Sequence, residues 1–492
     1  MAQVRGPGVC PGWATSLIGM AAVLCGCASA PPGLGGGPGL APSPAAWWHP
    51  PVVAGPAPAA TALSQAGLDT ASLAHLSLAE VIDIALDNSP TTQATWADAK
   101  VAAAQYGMAR ATRWPTVNLD GSATRSDATG YTKTAGTWAT TWGTSATLSW
   151  LLLDAGGRAG RVESARQGLI AANQTQNATL ADRVLDVEVA FFSYAGAKAL
   201  IAADSLAEAE AETSLTVAQE LHTVGLATAA DVLRARTALA QTRVETQGHQ
   251  GQVTNARGAL AVAMGYPANI AGDIDIDAPA VPAAQVSASV DSLVAVAVAR
   301  RPDLQAARAR ALAAVAAAQA TRSAQLPSLA LSGTVGENWR DGTATDRGTA
   351  SVQLRVPLFT GTAAQQELAA ARAAAEAATH RARGLAQRIV YEVFAAHTDL
   401  QTAARRLTAA DEFVASADQS SAVALGRYRE GVGTMLDLLS AQQTAATARA
   451  GQINARLAWF TSLARLARHA GLLDLAGDSP LLPAHLHPEV VR

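Results

Sequence analysis

Four landmarks recur in the same order in the two halves of the chain. Asn88-Ser89-Pro90 answers to Arg300-Arg301-Pro302, with the prolines 212 positions apart. Trp114-Pro115-Thr116-Val117-Asn118-Leu119 answers to Leu326-Pro327-Ser328-Leu329-Ala330-Leu331, again 212 apart. Val184-Leu185-Asp186-Val187 answers to Val390-Tyr391-Glu392-Val393, and Val224-Gly225-Leu226-Ala227-Thr228-Ala229-Ala230-Asp231 answers to Glu430-Gly431-Val432-Gly433-Thr434-Met435-Leu436-Asp437, both 206 apart. The spacing is constant, drops once by six, and is constant again. The drop lies between Leu119 and Val184, so a loop there carries the length difference. A repeat of this size is one supersecondary assembly written twice.

Each copy opens on a capped helix. Ser77-Leu78-Ala79-Glu80 forms a capping box, and Ser289 stands at the matching place. A second helix runs to Pro115 or Pro327, which cannot continue it. The period then changes to two. From Thr141 to Leu151 one side carries Trp142, Ala146, Leu148 and Trp150, and the other carries Thr141, Gly143, Ser145, Thr147 and Ser149. From Thr349 to Leu358 the sides are Ala350, Val352, Leu354, Val356 and Leu358 against Thr349, Ser351, Gln353, Arg355 and Pro357. Such alternation predicts strands with one apolar face, at the length of a membrane-barrel strand with its apolar face outward. Five of the ten tryptophans fall in these hairpins (114, 138, 142, 150 and 339), as girdles at a bilayer interface would require. Soluble hairpins in a β-sandwich share the alternation.

A proline-free run from Gly160 to Thr223 follows the first hairpin, long enough for a helix of about 95 Å. Leu180, Val184, Val187, Phe191 and Tyr194 step by four and three, a heptad seam that needs partner helices. The counterpart spans about Thr362 to Tyr428. Each long helix turns sharply into a returning one. Two hairpins supply four strands, too few to close a barrel, so several chains must share one. Three chains would supply about twelve strands and a modest aqueous lumen, and the strand count alone permits other numbers of chains.

Composition removes other classes. Charged residues make 15% of the chain and net charge is −3, so no footprint for nucleic acid is present. Apolar residues make 49% but aromatics only 4%; the balance is mostly alanine, which favours close helix contact. Beyond the first 30 residues no unbroken apolar run of about 18 exists, so a membrane crossing there has to use strands. Cys10, Cys25 and Cys27 are the only cysteines, and neither a thiolate nor a His cluster has metal-ligand spacing. Phosphate loops and nucleophile elbows are missing. Neither an enzyme nor a cofactor or metal is expected.

Residues 1–27 read as an export signal, with Arg5, an apolar stretch from Trp13 to Leu24 and small residues after it. Leu24-Cys25-Gly26-Cys27 resembles a bacterial lipobox, which makes Cys27 the candidate lipidated first residue. Cleavage after Ala28-Ser29-Ala30 is the alternative, disfavoured by Pro31. Residues 28–71 form a Pro/Gly/Ala-rich linker that Trp47-Trp48 can pin to the body. The expected units are 72–283, with a hairpin at about 116–153, and 284–475, with a hairpin at about 328–359. A tail spans 476–492.

This order of elements resembles the TolC-like outer-membrane efflux family, and the lipobox resembles its NodT-type lipoprotein branch. The resemblance covers roughly residues 72–475. It is carried by Leu78-Ala79-Glu80, Asn88-Ser89-Pro90, Leu153-Asp154-Ala155-Gly156-Gly157-Arg158, Val224-Gly225-Leu226 with Asp231-Val232-Leu233, Arg301-Pro302-Asp303-Leu304, and Gly431-Val432-Gly433-Thr434 with Asp437-Leu438-Leu439. It implies a mainly α fold with a transmembrane β-barrel. A homotrimer would share twelve strands above a periplasmic α-helical coiled-coil tunnel. The partners implied are a periplasmic adaptor and an inner-membrane pump, RND-type or ABC-type. The location is the outer membrane of a Gram-negative bacterium, lipid-anchored, with a large periplasmic portion.

The resemblance makes Val224, Gly225, Leu226, Thr228, Gly431, Val432, Gly433 and Thr434 the adaptor-docking tips, and Asp437 a narrowing of the tunnel aperture. Purely structural roles account for several of these. Gly225 and Gly431 suit left-handed helix ends, and Thr228 with Asp231 and Thr434 with Asp437 suit capping boxes. Ser440 stands where some relatives carry a second acid. Gln353 and Arg355 on the polar strand face are candidates for the barrel lumen, and Arg158 with Arg161 for the membrane interface. The expected function is a passive exit duct for efflux. Type I protein secretion uses the same outer component, and a soluble periplasmic coiled-coil scaffold is the reading from another class.

Overall fold

The computed structural model describes residues 43–48, 76–127, 138–269, 274–276, 289–340 and 343–473. The two halves repeat helix for helix. Helices α1 (Leu78–Asn88) and α5 (Val290–Arg300) have 11 residues each. Helices α2 (Pro90–Ala111) and α6 (Pro302–Ser323) have 22. Helices α3 (Gly157–Thr223) and α7 (Ala363–Arg429) have 67, and α4 (Ala229–Ala263) and α8 (Met435–His469) have 35. Every length difference between the halves lies in the strands and their connections: β1 (Thr116–Asp127) and β2 (Trp138–Leu153) against β3 (Ser328–Arg340) and β4 (Thr343–Arg355). No helix among the described residues is long and apolar enough to cross a membrane.

Local chemistry sets the helix ends. Ser77 and Glu80 close the expected capping box, and Ser289 caps α5. Both second helices begin on proline, whose missing N–H costs nothing at that position. The start of α3 differs from expectation: it begins at Gly157, ahead of Gly160. Ala155 (φ 49°) and Gly156 (φ 93°) turn the chain through left-handed conformations, and the Asp154 carboxylate accepts the Arg158 N–H. Glycine at 157 and 160 serves close approach. A Cβ on Gly160 would stand 2.9 Å from both the Ala316 oxygen and the Ala320 nitrogen of α6.

The four strands form one antiparallel sheet in the order β1-β2-β3-β4, leaving β1 and β4 as free edges. Strand β4 ends at Arg355, so Val356, Pro357 and Leu358 fall outside the predicted strand. Beyond Ser328↔Arg355 no residue of β3 remains to pair with them, and Pro357 has no N–H to donate.

Helices α2, α3, α6 and α7 pack side by side in that order beneath the sheet, and α4, α3, α8 and α7 pack in the same manner further down. The predicted heptad seam is buried: Leu180, Val187, Phe191 and Tyr194 are fully enclosed, and Val184 nearly so. The main core lies where α1 and α5 pack against α3 and α7. There Phe192 stacks on Phe460 at 4.4 Å between centroids, and the Tyr194 hydroxyl donates to the Ile274 carbonyl.

Trp47-Trp48 do pin the linker. The Asn177 side chain accepts the Trp48 N–H at 2.7 Å and donates to the Trp48 carbonyl at 2.6 Å, as a strand neighbour would. Gln176 donates to the carbonyls of Ser43, Pro44 and Ala46. Replacing Asn177 with leucine removes both Trp48 bonds and leaves buried backbone groups unpaired, at a cost of about 1–3 kcal/mol. Limited proteolysis should then cut near Trp48 in the variant and spare it in the wild type.

Candidate functional site

The sheet presents two chemically distinct faces. Pairing fixes which residues share a face: Val117 lies opposite Leu148, Leu119 opposite Ala146, Trp142 opposite Trp339, Trp150 opposite Leu331, and Leu329 opposite Leu354. These form one apolar face. The other carries Asn118, Thr147, Thr334 and Thr349 in one row, Asp120, Ser145, Gly336 and Arg347 in the next, and Ser332 beside Ser351. Hydroxyls bond across this polar face, as between Ser332 and Ser351 at 2.8 Å. Gln353 and Arg355 both lie on it, Arg355 at the edge nearest the helices, opposite Ser328. A sheet with one lipid-compatible face and one hydrated face suits a channel wall.

Far below the sheet stand the two helix turns, separated from it by helices of about 100 Å. In the first, Gly225 has φ +80°, its N–H donates to the His222 carbonyl, and the Leu226 N–H donates to the Leu221 carbonyl at 2.8 Å. In the second, Gly431 has φ +70°, its N–H donates to Tyr428, and Val432 and Gly433 both donate to the Arg427 carbonyl. Both glycines therefore end their helices in the left-handed conformation. No atom lies within 4 Å of a Cβ built on either, so side-chain space remains open there. Gly433 is different: a Cβ there would meet Arg427 and the Tyr428 nitrogen at 3.1–3.2 Å.

The returning helices start on complete capping boxes. Thr228 donates to the Asp231 carboxylate at 2.7 Å and accepts the Asp231 N–H, and Thr434 and Asp437 repeat the pattern at 2.8 Å. The two carboxylates then diverge. Asp231 also pairs with Arg234 at 3.1 Å, and the Thr228 bonds, helped by Arg234, hold its carboxyl below the usual range. Ser440 occupies the corresponding place after Asp437, and among the described residues Asp437 has no cationic partner and is exposed.

One small core brings the turns together. Val217 and Ala218 of α3, Ala235 of α4, Tyr428 of α7, and Met435 and Leu438 of α8 are buried against each other. Around it Val224, Leu226, Val432 and Leu436 are each about two-thirds exposed or more. A tip that fixes its glycine turns on a packed core and leaves apolar side chains in solvent is shaped for contact. Arg158 and Arg161 do not stand free at the sheet base; Asp154 engages both, at 3.5 and 3.4 Å. Cys27 lies outside the described residues.

Sequence reasoning missed the polar lock in the wall above the tip. Arg449 binds Glu210 of α3 at 2.8 Å and Asp418 of α7 at 2.7 Å, and one heptad before it Gln442 bonds the buried Ser214. The signal was present: Gln442 and Arg449 are polar residues seven apart on a line that otherwise reads as a buried seam.

The chain matches the outer membrane efflux protein family over residues 81–266 and 293–472, once on each half. Protein CyaE of Bordetella pertussis is 29% identical over 423 residues, covering 83% of this chain and 87% of that one. The toluene efflux pump outer membrane protein TtgC of Pseudomonas putida is 28% identical over 378 residues, covering 75% and 77%. The crystal structure of the outer membrane protein VceC from Vibrio cholerae superposes with a TM-score of 0.71 at 23% identity, over 80% of this chain and 96% of that one. Both halves of the match fall on the repeated helices, and the two-faced sheet between them is what a membrane channel needs: the chain belongs to the outer membrane efflux protein family.

Proposed function

We propose that this protein is the passive exit duct of a tripartite efflux system. Three copies place their sheets in one twelve-strand barrel in the outer membrane, and their helices form a tunnel below it. The observation that carries this reading is the four-strand sheet with two open edges, apolar on one face and hydrated on the other. It cannot stand in lipid as a single copy, because its edge groups would be unpaired. The energy comes from an inner-membrane pump of the RND or ABC type, passed on through a periplasmic adaptor, and the duct itself catalyses no reaction. The cargo assigned is small molecules, in line with the toluene efflux named for TtgC. Cys27 carries the lipid anchor. Asp437 contributes an acidic ring at the tunnel aperture, which favours cations and repels itself, and Gln353 and Arg355 face the barrel lumen.

The adaptor meets Val224, Gly225, Leu226 and Thr228 at one turn and Gly431, Val432, Gly433 and Thr434 at the other. The test combines mass and conductance. Purified from outer membranes in detergent, the protein should have the mass of three copies and should conduct ions in planar bilayers. A monomer without conductance would sink the proposal. Gly225→Trp with Gly431→Trp should abolish cross-linking to the adaptor and leave the trimer intact. The left-handed strain is only about 1–2 kcal/mol per site, and open space surrounds both positions. Loss of the trimer would instead make these glycines purely structural.

A further inference from the structure

Resting on the reading of three copies in one ring, we infer that two opposite-charge contacts join neighbouring copies, Arg355 with Asp120 on the barrel and Arg381 with Asp98 on the helices, placed there by the same register that joins the two halves of each chain. Two pairings fix the correspondence. Thr116 faces Ser149 in the first hairpin and Ser328 faces Arg355 in the second. Ser149 therefore corresponds to Arg355, 206 positions on, and Ser328 to Thr116, 212 positions back. Within the chain β2 pairs with β3, and Ser149 lies opposite Ser332. Moving both by their offsets turns that pair into Arg355 opposite Asp120 of the next copy.

The result is a guanidinium facing a carboxylate on the hydrated side of the barrel. Among the described residues neither has an ion-pair partner, and both are exposed in the single chain. The apolar face closes in the same register. Trp150 opposite Leu331 becomes Val356 opposite Leu119, and Leu153 opposite Leu329 becomes Phe359 opposite Val117. Phe359 is 89% exposed and Leu119 81% exposed without that neighbour. It also gives Val356 to Phe359 the partner strand that their own chain does not provide.

An independent point lies on the helices. Within the chain α3 packs on α6, and Arg310 donates to the Thr175 hydroxyl at 2.7 Å. The same offsets place Arg381 of α7 against Asp98 of α2 in the next copy. Both are exposed, and among the described residues both lack an ionic partner. Positions that are neutral or singly charged inside the chain thus become opposite charges at both places between chains. Such complementarity sets register and rejects mispaired edges, and it favours a second copy over lipid as the occupant of these edges. Arg355 is then part of the joint between copies as well as of the lumen.

The test places cysteines across the joint in the full-length protein. Directly opposed residues of antiparallel strands have Cα atoms about 4.5–5.5 Å apart, within disulfide reach. Asp120→Cys with Arg355→Cys should give covalent species of up to three copies on non-reducing gels of outer membranes. Thr124→Cys with Arg355→Cys, displaced by about 13 Å along the strand, should give none. Linking by the displaced pair alone, in a protein that still has the mass of three copies, would overturn the register and leave the duct reading standing. A wild-type monomer would overturn both. On the helices, Asp98→Arg should lower the temperature at which the trimer dissociates in detergent, and Asp98→Arg with Arg381→Asp should recover most of that shift. No recovery would remove the ionic pair from the proposal.

Discussion

Arg301→Ala should destabilise the protein by about 3 kcal/mol, seen as a lower denaturant midpoint with an unchanged slope. The Arg301 side chain is 5% exposed and holds two carboxylates. It grips Asp303 through two bonds of 2.6 and 3.1 Å and Glu392 through one of 2.6 Å. Glu392 comes from α7, 91 positions away, so this one guanidinium ties the α5–α6 corner to a long helix. Burial opposes ionisation of Asp303, but the Arg301 fork outweighs it and holds the carboxyl below its usual range. Removing the guanidinium takes the fork from Asp303 and leaves Glu392 beside His469, whose burial already disfavours the charged imidazole. Both acids keep some access to water, which places the cost at the low end for breaking a buried pair. An unchanged midpoint would show that the corner is held by apolar packing alone.

Glu188→Gln should flatten the pH dependence of stability. The Glu188 carboxyl has an oxygen sealed from solvent with no hydrogen-bond partner, although the residue as a whole is only partly buried. Burial raises its pKa from 4.5 to about 8. The sign follows from proton counts. Between about pH 4.5 and 8 the unfolded chain releases a proton that the folded chain keeps, so stability falls as pH rises. Across that window the fall is about 4 kcal/mol at most. Denaturation at pH 5 and pH 8 should show this loss in the wild type and little of it in the variant. Equal slopes in both proteins would place the ionised carboxylate in water.

The repeat made the architecture legible. Constant offsets between proline and glycine landmarks fixed the order of elements, and the heptad from Leu180 to Tyr194 named the buried seam in advance. Boundaries were less legible where a residue had a role set by a distant neighbour. The long helix read from Gly160 begins three residues earlier, at Gly157, and glycine stands at both positions because Ser323, Ala316 and Ala320 leave no room for a Cβ. Strand β4 stops short because the partner for Val356 to Phe359 is not in its own chain. The capping acids at the turns were readable from spacing alone. The pairs Arg301–Glu392 and Arg449–Glu210 were not, since their members stand 91 and 239 positions apart.

The paired helices of 67 and 35 residues also make the molecule a ruler. Each long helix is locked to its neighbours through side chains that recur every seven residues, so length cannot change one residue at a time. Removing a single residue from α3 would rotate everything below it by about 100° relative to α8 and tear Glu210 from Arg449. A workable shortening has to take whole heptads from both long helices at the same level, with matching cuts in whatever packs there. The reach from sheet to tip is therefore quantised in steps of about 10 Å, and any protein that meets the tip inherits that fixed distance as a boundary condition on its own size.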